Sequence, residues 1–200
     1  MMELSKPFQT WVAEHVQPNM TDFEELSWLV HGLINSPLTE DSVIVEIGTF
    51  RGVTAALMGR VVKHLDKKNF ILSIDPFEDY SPPDNFNAQG NYRAYKDNIS
   101  RYGVKDLCVC LNGFSQQVAP AVSNQIAFLT IDGSHVYEDV LQDIKLYSVK
   151  VKKGGYIWID DYSEWSYPGV FRAVNETLAQ SPSFKEIIKH RHFVMYVKLE

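Results

Sequence analysis

Five times along the chain a short apolar run rich in β-branched residues stops at a glycine, an asparagine or an acid: "SVIVEIG", "NFILSID", "LCVCLN", "QIAFLTID" and "YIWIDD". Runs of this length and texture read as strands buried on both faces. Helical stretches separate them: "VTAALMGRVVKHL", the polar "NYRAYKDNISRYG", closed by Gly103, and "VYEDVLQDIKLYSVKV", closed by "KKGG". Strands alternating with helices of this length predict βαβ units. The expected fold class is α/β, a Rossmann-like doubly wound sheet, mainly parallel. After the helix "GVFRAVNETLAQ", the runs "FKEIIKH" and "HFVMYVK" have no helix between them. They predict two further strands, seven in all, the last two an antiparallel pair at one edge.

Ahead of the first strand the pattern is helical. "TDFEELSWLVHGLI" places Phe23, Leu26, Leu29, Val30 and Leu33 near a 3.6-residue period, behind Thr21 as cap with Glu24 three residues on. Residues 1–40 therefore read as an N-terminal helical cap and residues 41–200 as the main domain. One connection is long: "PFEDYSPPDNFNAQGN", Pro76 to Asn91, is rich in prolines, acids and aromatics, the composition of a binding loop or lid. Cys108 and Cys110 alternate on the third strand and read as two small buried side chains facing one way.

In an open parallel sheet, ligands bind beyond the carboxyl ends of the strands. All five ends carry polar groups. The first is followed by Glu46, Gly48 and Gly52 in the spacing E-x-G-x-x-x-G, which lets a ligand approach the backbone. This is not the G-x-G-x-x-G of a nicotinamide dehydrogenase. The second ends in Asp75, placed to accept hydrogen bonds from two ribose hydroxyls. The third leads to Ser115 and Gln116, suited to a base edge. The fourth ends in Asp132, with His135 three residues on, and the fifth in Asp160 and Asp161. Each feature has an ordinary alternative as a turn or cap residue; together they fit one nucleoside ligand. The net charge of −6, without a long basic run, argues against a nucleic-acid partner. No apolar run approaches membrane-spanning length and the first residues carry no signal pattern, so a cytoplasmic location is expected.

From about residue 42 to residue 198 the chain resembles the class I S-adenosylmethionine-dependent methyltransferases, and among them the metal-dependent small-molecule O-methyltransferases. "VEIGTFRGVTAALM" and "GFSQ" are similar to cofactor segments of the catechol O-methyltransferase type. "IDGSHVYEDVLQDI", "KKGGYIWIDDY" and "PGVFRAVNE" are closer to the macrocin O-methyltransferase type. The resemblance implies that Glu46 and Gly48 contact the methionine part of S-adenosylmethionine, with Gly52 opening the helix beside it. Asp75 would hold the ribose, and Ser115 and Gln116 would face the adenine. Asp132, itself at the cofactor, would with Asp160 and Asp161 bind a divalent metal, Mg²⁺ by the hardness of the donors.

Two positions depart from the catechol type. An asparagine is replaced by Asp161, and His135 stands where that type has a catalytic lysine. His135 is therefore a candidate base, a substrate ligand, or only the entry to the next helix. The implied reaction is methyl transfer to a hydroxyl of a small metabolite. A metal-independent enzyme with His135 as base and a non-catalytic cofactor-binding domain remain as alternatives. Candidates for the acceptor wall are the N-terminal helices, the long loop and "YSEWSYPG", with Tyr80, Phe86, Tyr162, Trp165 and Tyr167 as ring-packing residues. The short N-terminal region leaves the site open or completed by a partner subunit, and enzymes of this kind often form homo-oligomers.

Overall fold

The computed structural model describes Thr10, residues 23–77 and residues 88–200. In chain order the elements are α1 (Phe23–Asn35), β1 (Val43–Ile47), α2 (Val53–His64), β2 (Ile71–Asp75), α3 (Ala88–Arg101), β3 (Cys108–Asn112), α4 (Ser115–Val118), β4 (Ile126–Ile131), α5 (Tyr137–Tyr147), β5 (Val151–Ile159), α6 (Pro168–Glu176), β6 (Phe184–Lys189) and β7 (Val194–Lys198). Short 3₁₀ turns follow α4, α5 and α6.

The seven strands form one sheet in the order β3-β2-β1-β4-β5-β7-β6. β1 to β5 pair in parallel, and β7 runs antiparallel to both neighbours. The expected antiparallel pair lies at the edge, with one difference: β7 enters between β5 and β6. Pairing with the apolar β5, through Ile157↔Tyr196 and Ile159↔Val194, buries β7 and leaves the charged β6 outside.

Two apolar layers cover the sheet. One joins α1, α2 and α3 to one face through residues such as Leu29, Leu57, Phe128 and Trp158, with Trp158 stacked on Phe193 at 4.0 Å between ring centroids. The other packs α5 and α6 on the opposite face through Ile131, Ile144, Ile159 and Val174. β4 is buried at every position, which accounts for its unbroken apolar sequence.

Several boundaries differ from the sequence reading. β5 begins at Val151, so "KKGG" lies inside the strand; the register with β4 shifts there, and the turn after α5 takes over the helix stop. The segment "GFSQ" starts the short helix α4. The last residues of the expected long loop, from Ala88, belong to α3. Residues 78–87, with Tyr80 and Phe86, lie outside the described residues, as does Thr21. Cys108 and Cys110 face the same layer but are only half-buried, because β3 is an edge strand. Burial pushes the Cys108 thiol up to about 12, so neither its position nor its ionisation favours reactivity. Among the described residues no helix is long and apolar enough to cross a membrane.

Candidate active site

Beyond the strands, backbone hydrogen bonds continue the parallel ladder into the loops. Gly113 N donates to Asp75 O, Gly48 N to Ile74 O, Asp132 N to Ile47 O and Asp160 N to Ile131 O, at 2.9 to 3.2 Å. These bonds set the five polar strand ends side by side, as the sequence pattern predicts.

On the β1–β2 side the polar groups are held by the chain itself. The Glu46 carboxylate accepts from Thr49 Oγ1 at 2.5 Å and Ser73 Oγ at 3.2 Å. Burial nevertheless raises its pKa to about 7. Asp75 accepts the Phe50 amide on Oδ2 at 2.8 Å and the Phe77 amide on Oδ1 at 2.7 Å, so it ties the β1–α2 loop to its own. Each carboxylate oxygen has a second lone pair, so the ribose role remains open to it. Gly48 has φ +83°, and a Cβ there would stand 2.1 Å from Asp132 O. Its need for glycine comes from the crossing of the β1 and β4 loops, before any ligand enters. Gly52, at φ +70°, would place a Cβ 2.4 Å from the Tyr95 ring.

Ser115 is held by the neighbouring helix. Its hydroxyl donates to the buried Asp143, and its carbonyl accepts from Tyr147 Oη at 2.7 Å. The side chain fastens α4 to α5. Gln116, next in the same helix, is half-buried.

On the β4–β5 side the groups face one another. Dense surroundings and the charges of Asp160, Asp161, Glu46 and Glu25 raise the Asp132 pKa well above the carboxylate range. The Asp132 side chain still meets solvent at the mouth of the site, which moderates the first cause and leaves the neighbouring charges as the firmer one. Burial and the Asp161 charge raise Asp160 to about 7, against the Asp161 amide, which donates to its Oδ1 at 3.0 Å.

Asp161 adopts φ +53°, a left-handed conformation that aspartate tolerates better than most residues. Its Oδ2 lies 2.7 Å from His135 Nε2, with the imidazole about half exposed. Tyr167 packs on the other side of His135, 4.4 Å between ring centroids. The helix α5 starts behind Val136 as its N-cap, without a side-chain cap, and just ahead of it Ser134 Oγ accepts from Val136 N at 3.1 Å and donates to Asp139 at 2.7 Å. Gly169 of α6 fixes the His135 backbone from behind, since a Cβ there would come within 2.4 Å of His135 O.

Among the described residues, no three His, Cys, Asp or Glu side chains stand in an arrangement that would hold a metal ion. Asp132 and Asp160 converge, and Asp161 is drawn to His135 instead. Of the expected ring-packing residues, Tyr162 belongs to the core at 3% exposure, while Trp165 is 91% exposed.

Sequence reading missed Glu25. It lies at the amino end of α1, is buried, and its charge reaches both Asp132 and Asp160. The available signal was its place beside Leu26 and four residues before Leu29, on the inward stripe of an amphipathic helix.

A seven-stranded sheet with one antiparallel strand and a polar row of parallel strand ends defines the class I methyltransferase fold. Solved structures with the same fold include the O-methyltransferase NovP, 21% identical with a TM-score of 0.75 over 91% of this chain and 82% of that one. CalS11, a TDP-rhamnose 3'-O-methyltransferase of calicheamicin biosynthesis, is 16% identical with a TM-score of 0.61 over 98% and 96%. The O-methyltransferase from Bacillus cereus in complex with SAH is 14% identical with a TM-score of 0.64 over 98% and 93%. In sequence, the chain is 32% identical over 177 residues to the uncharacterized protein R132 of Acanthamoeba polyphaga mimivirus, covering 84% of this chain and 74% of that protein. Residues 45–162 match the family described as "Methyltransferase domain". The chain belongs to that family and is a class I S-adenosylmethionine-dependent methyltransferase.

Proposed function

We propose that the protein transfers the methyl group of S-adenosylmethionine to a hydroxyl of a small metabolite, with His135 as the general base. The observation that carries this reading is the His135–Asp161 pair at 2.7 Å, half exposed beside Asp132 at the strand ends. With Nε2–H donating to Asp161, Nδ1 is the basic nitrogen. It takes the acceptor's proton as the hydroxyl oxygen bonds to the methyl carbon. The methyl–sulfur bond breaks with its electron pair going to sulfur, which leaves S-adenosylhomocysteine. Asp161 orients the imidazole and balances the imidazolium that forms. Glu46, Gly48 and Asp75 bind the cofactor in this reading, with Gln116 beside the adenine. The activity of CalS11, methylation of a sugar hydroxyl, favours a sugar or glycosylated acceptor.

A divalent cation at Asp132, Asp160 and Asp161 belongs to this proposal. Their donor chemistry fits one: three carboxylates with only oxygen ligands suit a hard ion such as Mg²⁺. Besides burial, the Asp160 and Asp161 charges raise Asp132 and the Asp161 charge raises Asp160, and such an ion would relieve that repulsion. When bound, it supplies acidification and orientation of the acceptor hydroxyl. The Asp161–His135 pair favours a second reading, a metal-independent enzyme in which Asp161 serves only His135.

An acceptor screen with sugar and phenolic hydroxyls, run with Mg²⁺ and with chelator, separates these readings. Turnover abolished by chelator supports the metal. Turnover indifferent to it leaves His135 as sole base. Cofactor binding without turnover on any hydroxyl points to a non-catalytic domain.

A further inference from the structure

The carboxyl end of β5 leads into Asp160 and Asp161, yet the turn that flanks it on the outer side is basic. Between β6 and β7 the chain reads His190-Arg191-His192-Phe193. The turn is tight, closed by His190 N donating to Phe193 O at 2.9 Å. β7 runs antiparallel to β5 with Val194 opposite Ile159, so the turn lies just beyond the carboxyl end of β5. Three contacts hold it there. Tyr162 N, one residue past Asp161, donates to His192 O at 2.9 Å. Phe193 is buried and stacked on Trp158. The Lys189 ammonium, just ahead of the turn, lies 4.9 Å from the centre of the Tyr162 ring.

His190, Arg191 and His192 remain without a structural task that needs their charge. Tight turns favour glycine, asparagine and aspartate, not a run of three basic residues. Arg191 is exposed, and none of the three enters an ion pair among the described residues. The two imidazoles stand 6.3 Å apart and flank Arg191 in the chain. His190 Nδ1 is covered and has no hydrogen-bond partner among the described residues. A covered lone pair is tolerated better than a covered N–H, which leaves Nε2 of His190 as the donor. An anion held beside two aspartates must engage several donors at once. A guanidinium fork between two imidazoles supplies them, and a phosphoryl group, with three acceptor oxygens, matches that set better than a carboxylate with two.

We propose that the β6–β7 turn, through Arg191 with His190 and His192, seats a phosphoryl group of the acceptor. The substrate class is then a phosphorylated hydroxyl compound, such as a sugar phosphate or a sugar nucleotide. This rests on the reading that places the acceptor hydroxyl at His135. A chain of neighbours joins the two places: His135 meets Asp161, Tyr162 follows it, and Tyr162 bonds to His192. Arg191 is a specificity-determining residue in this assignment and takes no part in methyl transfer.

The test is calorimetric titration of the S-adenosylhomocysteine-loaded full chain with inorganic pyrophosphate. Chelator is present throughout, so that no metal bridges the anion to the strand-end acids. Wild-type protein is expected to bind pyrophosphate, and Arg191→Gln to weaken it by about tenfold, the scale of one charge-assisted pair. Lys68→Gln, ahead of β2 at the opposite end of the sheet, should stay within about twofold of the wild type. No binding by the wild type, indifference to Arg191→Gln, or an equal loss in Lys68→Gln would overturn the assignment. So would methylation of a neutral sugar in preference to its phosphate ester. His135→Ala separates this from the reading beneath it: an unchanged methylation rate there, with pyrophosphate binding still dependent on Arg191, would overturn the base and uphold the anion seat.

Discussion

The two halves of the sheet's carboxyl edge use acidic residues in opposite ways. On the β1–β2 half, each carboxylate is occupied by its own chain: Glu46 by two hydroxyls, Asp75 by two backbone amides. On the β4–β5 half, burial and neighbouring acids raise Asp132 and Asp160, the former with Asp160 and Asp161 beside it and the latter with Asp161, while Asp161 itself turns to His135. The first half is a finished scaffold whose acids hold loops in place. The second holds charge that favours an incoming cation, whether cofactor, metal ion or protonated imidazole. A carboxylate at a strand end is thus not one kind of signal. What surrounds it decides whether it shapes the site or waits for a ligand.

His135→Ala puts this division under the greatest strain. Under the proposed mechanism this change should lower kcat/KM for a hydroxyl acceptor by about 10²- to 10⁴-fold, with S-adenosylhomocysteine affinity nearly unchanged by calorimetry. A variant that loses cofactor affinity in proportion to rate would place His135 on the scaffold side. Next in size is Gly48→Ala. Its methyl would enter the Asp132 carbonyl from a left-handed residue, so chemical denaturation should show a loss of about 3 kcal/mol. A neutral result would mean that the loop crossing is soft and the two halves are independent.

Asp160→Asn should act in two directions at once. Without added cation at pH 8 it should raise stability by about 1 kcal/mol, because it removes a repelled charge. It should also abolish any rise in melting temperature that Mg²⁺ gives the wild type. If the variant is destabilised instead, Asp160 is paired more like Asp75.

The remaining expectation concerns pH dependence. Glu46 and Asp160, each at about 7, and Asp143, at about 6, have folded-state values above their unfolded ones. The folded state therefore holds more protons than the unfolded state between about pH 4 and pH 7. Stability of the ligand-free protein should fall as pH rises through that window, and the slope should flatten in Asp160→Asn. Melting curves from about pH 5 to pH 8 measure it; a stability that rises across the window would contradict the repulsion.

Much of the fold was legible because β1, β2 and β4 are largely buried and the first five strands end in residues that cannot continue a strand. Such runs stand out against polar helices without any tertiary knowledge. The place of β7 was not, since insertion between β5 and β6 depends on which edge offers the better apolar partner. The start of β5 was hidden by "KKGG", whose glycines read as a stop while β4 pairing holds them in a strand. For the site, the strand-end rule located Asp75, Asp132, Asp160 and Asp161, which the backbone ladder then sets side by side. It did not tell which side chains face inward. Ser115 turns to Asp143 because α4 forms where a loop was read, and Asp161 reaches His135 through a left-handed backbone that no composition announces. Glu25 escaped because an acid in the first turn of a helix is usually explained by the helix dipole alone.

The position of β7 also bears on how the protein is made. β5, which carries Asp160 and Asp161 at its end, pairs with β4 on one side and with β7 on the other. β7 comes after α6 and β6 in the chain. During synthesis the apolar edge at Ile157 and Ile159 therefore stays open until residues 194–198 emerge from the ribosome. An open apolar edge is a template for wrong pairing. The β1–β2 side of the sheet can pair while this edge of β5 is still uncovered, so a chain cut before β7 should expose that edge to other chains.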